Sequence, residues 1–209
     1  MKRFDLPVYV RACVTGETLI LLDLRHDRYL SLPAGSQTAG EGGGPVQALH
    51  VDEGVSAALC AKGITPGPNA QRPRPVGWLS RWRGLYVADE LAVLAALAWA
   101  RRVVDAKRLE GAVWELCADK ELIAEDDRRE PDALVALFNA RRVWALGRRA
   151  CLYNALALTR LLLSRGVAAD FVIGVRTSPF LAHSWVEWRG QVLCDDPEVC
   201  VAFTEILRV

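Results

Sequence analysis

The chain has 209 residues, of which 52% are hydrophobic, and its 26 basic and 25 acidic side chains leave a formal net charge of +1. That length holds one large domain or two small ones around a packed core. A near-neutral balance argues against electrostatic capture of nucleic acid or anionic lipid, so the arginine pairs at 101–102, 128–129, 141–142 and 148–149 read as solvated helix faces.

The N-terminus, MKRFDLPVYV, carries charge but no apolar run of signal-peptide length. The longest apolar run, LAVLAALAWA at 91–100, is about half a membrane span and closes at Arg101. A cytoplasmic protein is expected. The six cysteines are scattered without a CxxC pair, and only three histidines accompany them. No zinc-ligand spacing emerges, and most of the thiols should be free and buried.

In chain order, VYVRACV (8–14), TLILLDL (18–24) and RYLSL (28–32) read as short strands. Thr15-Gly16-Glu17 and Arg25-His26-Asp27 supply the turns, so the segment predicts a three-stranded antiparallel meander. A glycine-rich connection (33–47) leads to an amphipathic helix over 52–64, with an acidic start and a stop at Gly63. Residues 65–77 contain Pro66, Pro68, Pro73 and Pro75, a density that prevents helix and interior strand alike. The expected organisation is therefore an N-terminal domain over 1–66, a linker over 67–85 and a second domain over 86–209.

Helices are predicted over 88–107, 109–123, 131–147 and 151–166, the last ending in Arg165-Gly166. The period then changes. DFVIGVR (170–176) reads as a buried strand, LAHSWVEW (181–188) alternates, and QVLCD (191–195) returns after Arg189-Gly190. CVAFTEIL (200–207) suits strand or helix. Helices followed by an antiparallel sheet make the fold class α+β.

Cys151 opens its helix, where the dipole and the upstream Arg148 and Arg149 favour the thiolate. Taken alone, it also fits a small packed residue. His183, taken alone, fits a core histidine with a satisfied hydrogen bond. Alternation puts His183, Trp185 and Glu187 on one face and Ala182, Ser184, Val186 and Trp188 on the other. A two-residue loop at Arg189-Gly190 would bring Asp196 opposite His183, and a three-residue loop would bring Asp195. Either way a carboxylate arrives beside the imidazole. Cysteine, histidine and aspartate in that order, on helix, strand and strand, form a thiol-protease constellation.

The segments RACLYNALALTRLLLSRG (149–166) and VIGVRTSPFLAHSWVEWRGQVLCDDPE (172–198) resemble the leader-peptidase B proteins of lasso-peptide biosynthesis, which belong to the transglutaminase-like, papain-related cysteine proteases. The resemblance implies Cys151 as nucleophile, His183 as base and Asp195 as orienting carboxylate, and so favours the three-residue loop. Cys194 and the second aspartate, Asp196, depart from the family pattern. For the first third the resemblance implies a small winged-helix-like domain, a three-stranded antiparallel sheet plus helices, that binds the leader of a ribosomally made precursor. The leader would pair as an added strand, with Tyr29, Leu30, Ser31 and Leu32 on the receiving edge and Leu59 as a pocket residue.

The resemblance further implies hydrolysis of the leader–core bond without metal or nucleotide. The oxyanion donors are not readable from the sequence, and the backbone N–H of Cys151 is the natural expectation from its place at a helix start. The implied partners are the precursor peptide and an asparagine-synthetase-like cyclase, which would use ATP to close the ring. Two other functions fit the same residues: a transglutaminase-like acyl transferase, and a non-catalytic scaffold that delivers a precursor to another enzyme.

Overall fold

A computed structural model describes residues 2–33, 48–67, 88–123, 130–142 and 150–209. The glycine-rich connection from residue 34, the linker after Gly67, Arg128-Arg129 and Arg148-Arg149 lie outside the described residues.

The predicted meander forms as β2 (Val10–Thr15), β3 (Thr18–Asp23) and β4 (Arg28–Pro33), antiparallel and in that spatial order. Gly16, at φ +59°, takes the left-handed conformation of the first turn. Asp23, 1% exposed, organises the second turn. Its carboxylate accepts from the backbone N–H groups of Arg25 and His26, from the Arg28 guanidinium, and bonds the His26 ring at 2.7 Å. Burial alone would raise the Asp23 pKa, but these bonds hold it below the ordinary carboxylate value.

Strand β3 is apolar on both faces for a physical reason. Leu19 and Leu21 point into a small core with Phe4, Leu6, Leu49, Val51, Leu59 and Ile64. Ile20 and Leu22 point into the large core of the rest of the chain. The sheet is thus covered on both sides, and β4 carries the same division: Leu30 and Leu32 face the small core, Tyr29 the large one. The small core is completed by β1 (Lys2–Asp5) paired antiparallel with β5 (Ala48–Val51), and by α1 (Glu53–Ala61). Asp52 caps α1 by accepting from the Val55 N–H at 2.7 Å. The pair β1–β5 was not predicted, because four-residue strands carry too little periodicity and their partners lie more than forty residues apart.

The second part contains α2 (Asp89–Asp105), α3 (Leu109–Glu121), α4 (Asp132–Arg141) and α5 (Ala150–Ser164). A four-stranded sheet follows in the order β8-β7-β6-β9, from β6 (Asp170–Thr177), β7 (Phe180–Trp188), β8 (Gln191–Leu193) and β9 (Thr204–Arg208). The ambiguous C-terminal segment divides: α6 (Pro197–Cys200) is a short helix, and β9 is a strand. The architecture is α+β, with a three-stranded sheet at the N-terminal end. No helix among the described residues is long and apolar enough to cross a membrane.

Helix α5 is the axis of this part. Every residue from Ala155 to Leu163 is buried, so the helix is enclosed all round. It packs against α2, α3 and α4 as well as β6 and β7. Its two buried polar groups are satisfied. Thr159 donates to the Ala155 carbonyl at 2.8 Å, and Arg160 donates to Glu115 at 3.0 Å while covering the Trp99 ring at 4.2 Å. Truncating a leucine such as Leu156 to alanine here would cost about 2–5 kcal/mol. This enclosure holds the first turn of α5, and Cys151 with it, against the sheet.

Candidate active site

The hairpin between β7 and β8 pairs Trp188 with Gln191, Glu187 with Val192 and Val186 with Leu193. Its loop is the two residues Arg189 (φ +50°) and Gly190 (φ +78°), the left-handed pair of a type I′ turn. The three-residue loop favoured by the resemblance is therefore not formed. Continued, the observed register would bring Asp196 opposite His183. It does not continue, because the ladder ends at Leu193 and Cys194 takes the left-handed conformation at φ +60°. The chain turns there, and Asp195 Oδ2 lies 2.8 Å from His183 Nε2. Asp196 instead caps α6, accepting from the Glu198 N–H at 2.9 Å.

Cys151 stands in the first turn of α5, and its thiol hydrogen-bonds to the His183 ring and to Ser184. The β7–β8 ladder stops at Val186, so the backbone of Ser184 has no β8 partner and its N–H turns to the sulfur. Ser184 is 4% exposed and its hydroxyl also bonds Cys151. Burial disfavours the thiolate, but the bonds from His183 and Ser184, with the His183 charge, bring the Cys151 pKa below 9.0. Three other cysteines go the opposite way: burial pushes Cys13 and Cys200 up to about 12 and raises Cys194. His183 is raised above 6.5, first by its bond to Cys151 and then, against burial, by the Asp195 charge. Both shifts run in the direction that favours a thiolate–imidazolium pair, with a carboxylate behind the imidazole.

Ser184 was missed in the sequence because alternation sets it on the face opposite His183. A buried serine needs a partner, however, and that was the available signal.

The imidazole rests on aromatic rings. It stacks on Trp185 at 5.9 Å and 20°, and its centroid is 5.3 Å from that of Phe203. Gly174, directly opposite His183 on β6, makes room for both: a Cβ there would lie 2.8 Å from atoms of Trp185 and Phe203. Beside the thiol is a cavity of about 50 Å³, lined in part by Phe138, Asn154, Leu158, Ser184 and Leu193.

One group of side chains near the site has metal-ligand chemistry. Ligand atoms of His183, Asp195 and Cys200 lie within 4.8 Å of one another. Two of these residues, His183 and Asp195, are already bonded to each other.

The proposed leader-binding residues divide. Strand β4 is the edge of its sheet. Tyr29 meets Phe180 of β7 edge-on at 5.5 Å, and its phenol, pushed up by burial, also feels the charge of Cys151. Leu30 and Leu32 are half-buried against the small core, and Ser31 lies between them on the other face. Leu59 is fully buried and presents no surface to a bound strand.

A thiol bonded to an imidazole that is bonded to a carboxylate suits a cysteine-type acyl-transfer enzyme. The family model described as the transglutaminase-like superfamily matches residues 77–208, more than half of the chain, and the chain belongs to that superfamily. It is also 55% identical over 49 residues to the microcin J25-processing protein McjB of Escherichia coli. That match covers 23% of this chain and 24% of McjB, so it spans about a quarter of the relative's length. Both matches support the resemblance to the B proteins of lasso-peptide biosynthesis. No solved structure matches the chain.

Proposed function

We propose that the protein is a leader peptidase of lasso-peptide maturation. The observation that carries this reading is the chain of contacts from Cys151 through His183 to Asp195, on a thiol whose ionisation is favoured. Superfamily membership and the identity to a microcin-processing protein support it.

The chemistry follows from the bonding. Asp195 holds His183 Nε2, which leaves Nδ1 for the sulfur and the substrate. The Cys151 thiolate attacks the carbonyl carbon of the bond between leader and core. As the C–N bond breaks, His183 gives its proton to the departing amine of the core. The leader remains as a thioester on Cys151. His183 then takes a proton from water, the hydroxide adds to the thioester carbonyl, and the leader leaves with a free carboxylate while the thiol is restored. The freed core amine would pass to a cyclase resembling asparagine synthetase, which would spend ATP on ring closure. The leader would be held as an added strand on the edge of β4.

Acyl transfer to an amine is the second reading, because the same thioester could be opened by an amine in place of water. Mass spectrometry of precursor incubated with wild type, Cys151→Ala and His183→Ala tests both. Free leader and free core are expected from wild type alone. A leader–amine adduct would select acyl transfer. Cleavage at the wild-type rate by both variants would reject either chemistry, and binding of precursor without any reaction would leave a delivery scaffold.

A further inference from the structure

Arg176 stands on β6 opposite Leu181, two residues along from the pair Gly174–His183 and on the same face of the sheet. Its guanidinium lies 5.4 Å from the Phe203 ring, the ring that His183 also touches. One aromatic side chain therefore separates the catalytic imidazole from this cation. The Arg176 Nε atom is buried and has no hydrogen-bond partner, and among the described residues Arg176 forms no ion pair.

Arg208, on the neighbouring strand β9, differs in this respect. Arg208 is held by Glu205, Glu187 and Asp170. Those carboxylates are thereby committed, and Asp195 is committed to His183. A guanidinium stays charged at any working pH and presents a planar fork that matches a carboxylate. Here it lies beside the hairpin end where Phe180 and Leu181 are 47% and 43% exposed, so a ligand can approach from solvent.

We infer that Arg176 recognises a carboxylate of the peptide substrate, carried by an aspartate or glutamate within about three residues of the scissile bond. The spacing follows from the strand: two residues of β6 span about 7 Å, which an extended substrate covers in two residues. This inference rests on the peptidase reading above, which it deepens by naming a substrate feature. Arg176 acts through substrate binding and takes no part in the proton transfers.

The test is a double-mutant cycle between enzyme and precursor. Arg176→Ala should lower kcat/KM for the precursor about 10- to 100-fold, with unchanged thermal unfolding and an unchanged acid limb of the pH profile. Arg176→Lys should recover part of the loss. Replacing one nearby Asp or Glu of the precursor by its amide should cost wild type the same factor and cost Arg176→Ala nothing further. Additive losses, or amide precursors cleaved by wild type at the original rate, overturn the inference. Binding of the same peptides to Cys151→Ala, followed by fluorescence anisotropy, separates this failure from failure of the peptidase reading. The amide peptides should bind Cys151→Ala more weakly but bind Cys151→Ala/Arg176→Ala as well as the acidic ones do. Equal binding of both kinds to Cys151→Ala overturns the inference even if no precursor is ever cleaved.

Discussion

Asp195 Oδ2 lies 2.8 Å from His183 Nε2 although the register of the β7–β8 hairpin, extended by three residues, points Asp196 at His183. The left-handed backbone of Cys194 ends the ladder and exchanges the two carboxylates. One bonds the imidazole and the other caps a helix.

Asp195→Asn should therefore lower kcat by at least about 10²-fold, because the amide neither fixes the tautomer nor supports the imidazolium. Asp196→Asn should stay near wild type, since asparagine caps helices as well as aspartate does, whereas Asp196→Ala should cost about 0.5–2 kcal/mol of stability. Cleavage rates and denaturant midpoints check both. A large loss of rate in Asp196→Asn alone would exchange the roles.

The pH profile of kcat/KM should be bell-shaped. Its acid limb reports loss of the proton from Cys151, lying below the 9.0 of a free thiol, and its alkaline limb reports loss of the proton from His183, lying above 6.5. On the proposed mechanism the reacting form is the thiolate–imidazolium pair between the two limbs. Ser184→Ala removes a donor to the thiolate and should move the acid limb to higher pH. Asp195→Asn removes the charge that favours imidazolium and should move the alkaline limb to lower pH. A limb that moves the opposite way would show that the ion pair is not the reacting state.

Alkylation should pick out the same thiol. At mildly acidic pH, iodoacetamide should modify Cys151 first, ahead of the exposed Cys60, while the buried Cys13 and Cys200 stay unmodified. His183→Ala should remove the preference. Peptide mapping after a short pulse reads the order directly, and early labelling of Cys60 alone would contradict it.

Gly174→Ala should damage both stability and activity. The added methyl meets Trp185 and Phe203 at 2.8 Å, and these are the rings on which His183 rests. Overpacking of this kind costs about 1–3 kcal/mol. Denaturation should show that loss, and kcat should fall at temperatures where the variant is still folded. Wild-type kcat in the folded variant would mean that the rings do not position the imidazole.

Leu22→Ala should destabilise the chain by about 2–5 kcal/mol and lower the unfolding midpoint of the part that carries Cys151. Leu22 belongs to the large core although it lies in the N-terminal sheet. The contact is reinforced by Arg25, which pairs with Glu110 of α3 at 3.1 Å. Denaturation followed at Trp185 and at the N-terminal strands should give coincident transitions. Separate transitions, with only the N-terminal one shifted, would show that the two parts unfold independently.

Most of the regular elements were legible in the sequence because their apolar periods are long enough to read. The helices from 89, 109, 132 and 150, the meander and the β6–β7 pair all begin within two residues of where the pattern puts them. The strands β1 and β5 were not legible, being four residues each and paired only through the fold. At the site, Cys151 and His183 could be singled out from residue type, element and chain order. Ser184 and Arg176 were not: Ser184 meets the thiol where the β7–β8 ladder has stopped, and Arg176 has no counter-charge among the described residues, relations that exist only in three dimensions.

By itself, then, the sequence determined an α+β chain, a cysteine at a helix start, a histidine on a strand and two aspartates beyond a tight turn. Local propensity and period suffice for these, since each depends on a few neighbouring residues. Only the tertiary structure decided which aspartate meets the histidine, because one left-handed residue outweighs a register argument. It alone decided that β3 serves two cores, and that β4 brings Tyr29 to Phe180 and near Cys151. Those outcomes depend on how separate hydrophobic faces cover one another, a relation between distant segments that no single stretch of sequence contains.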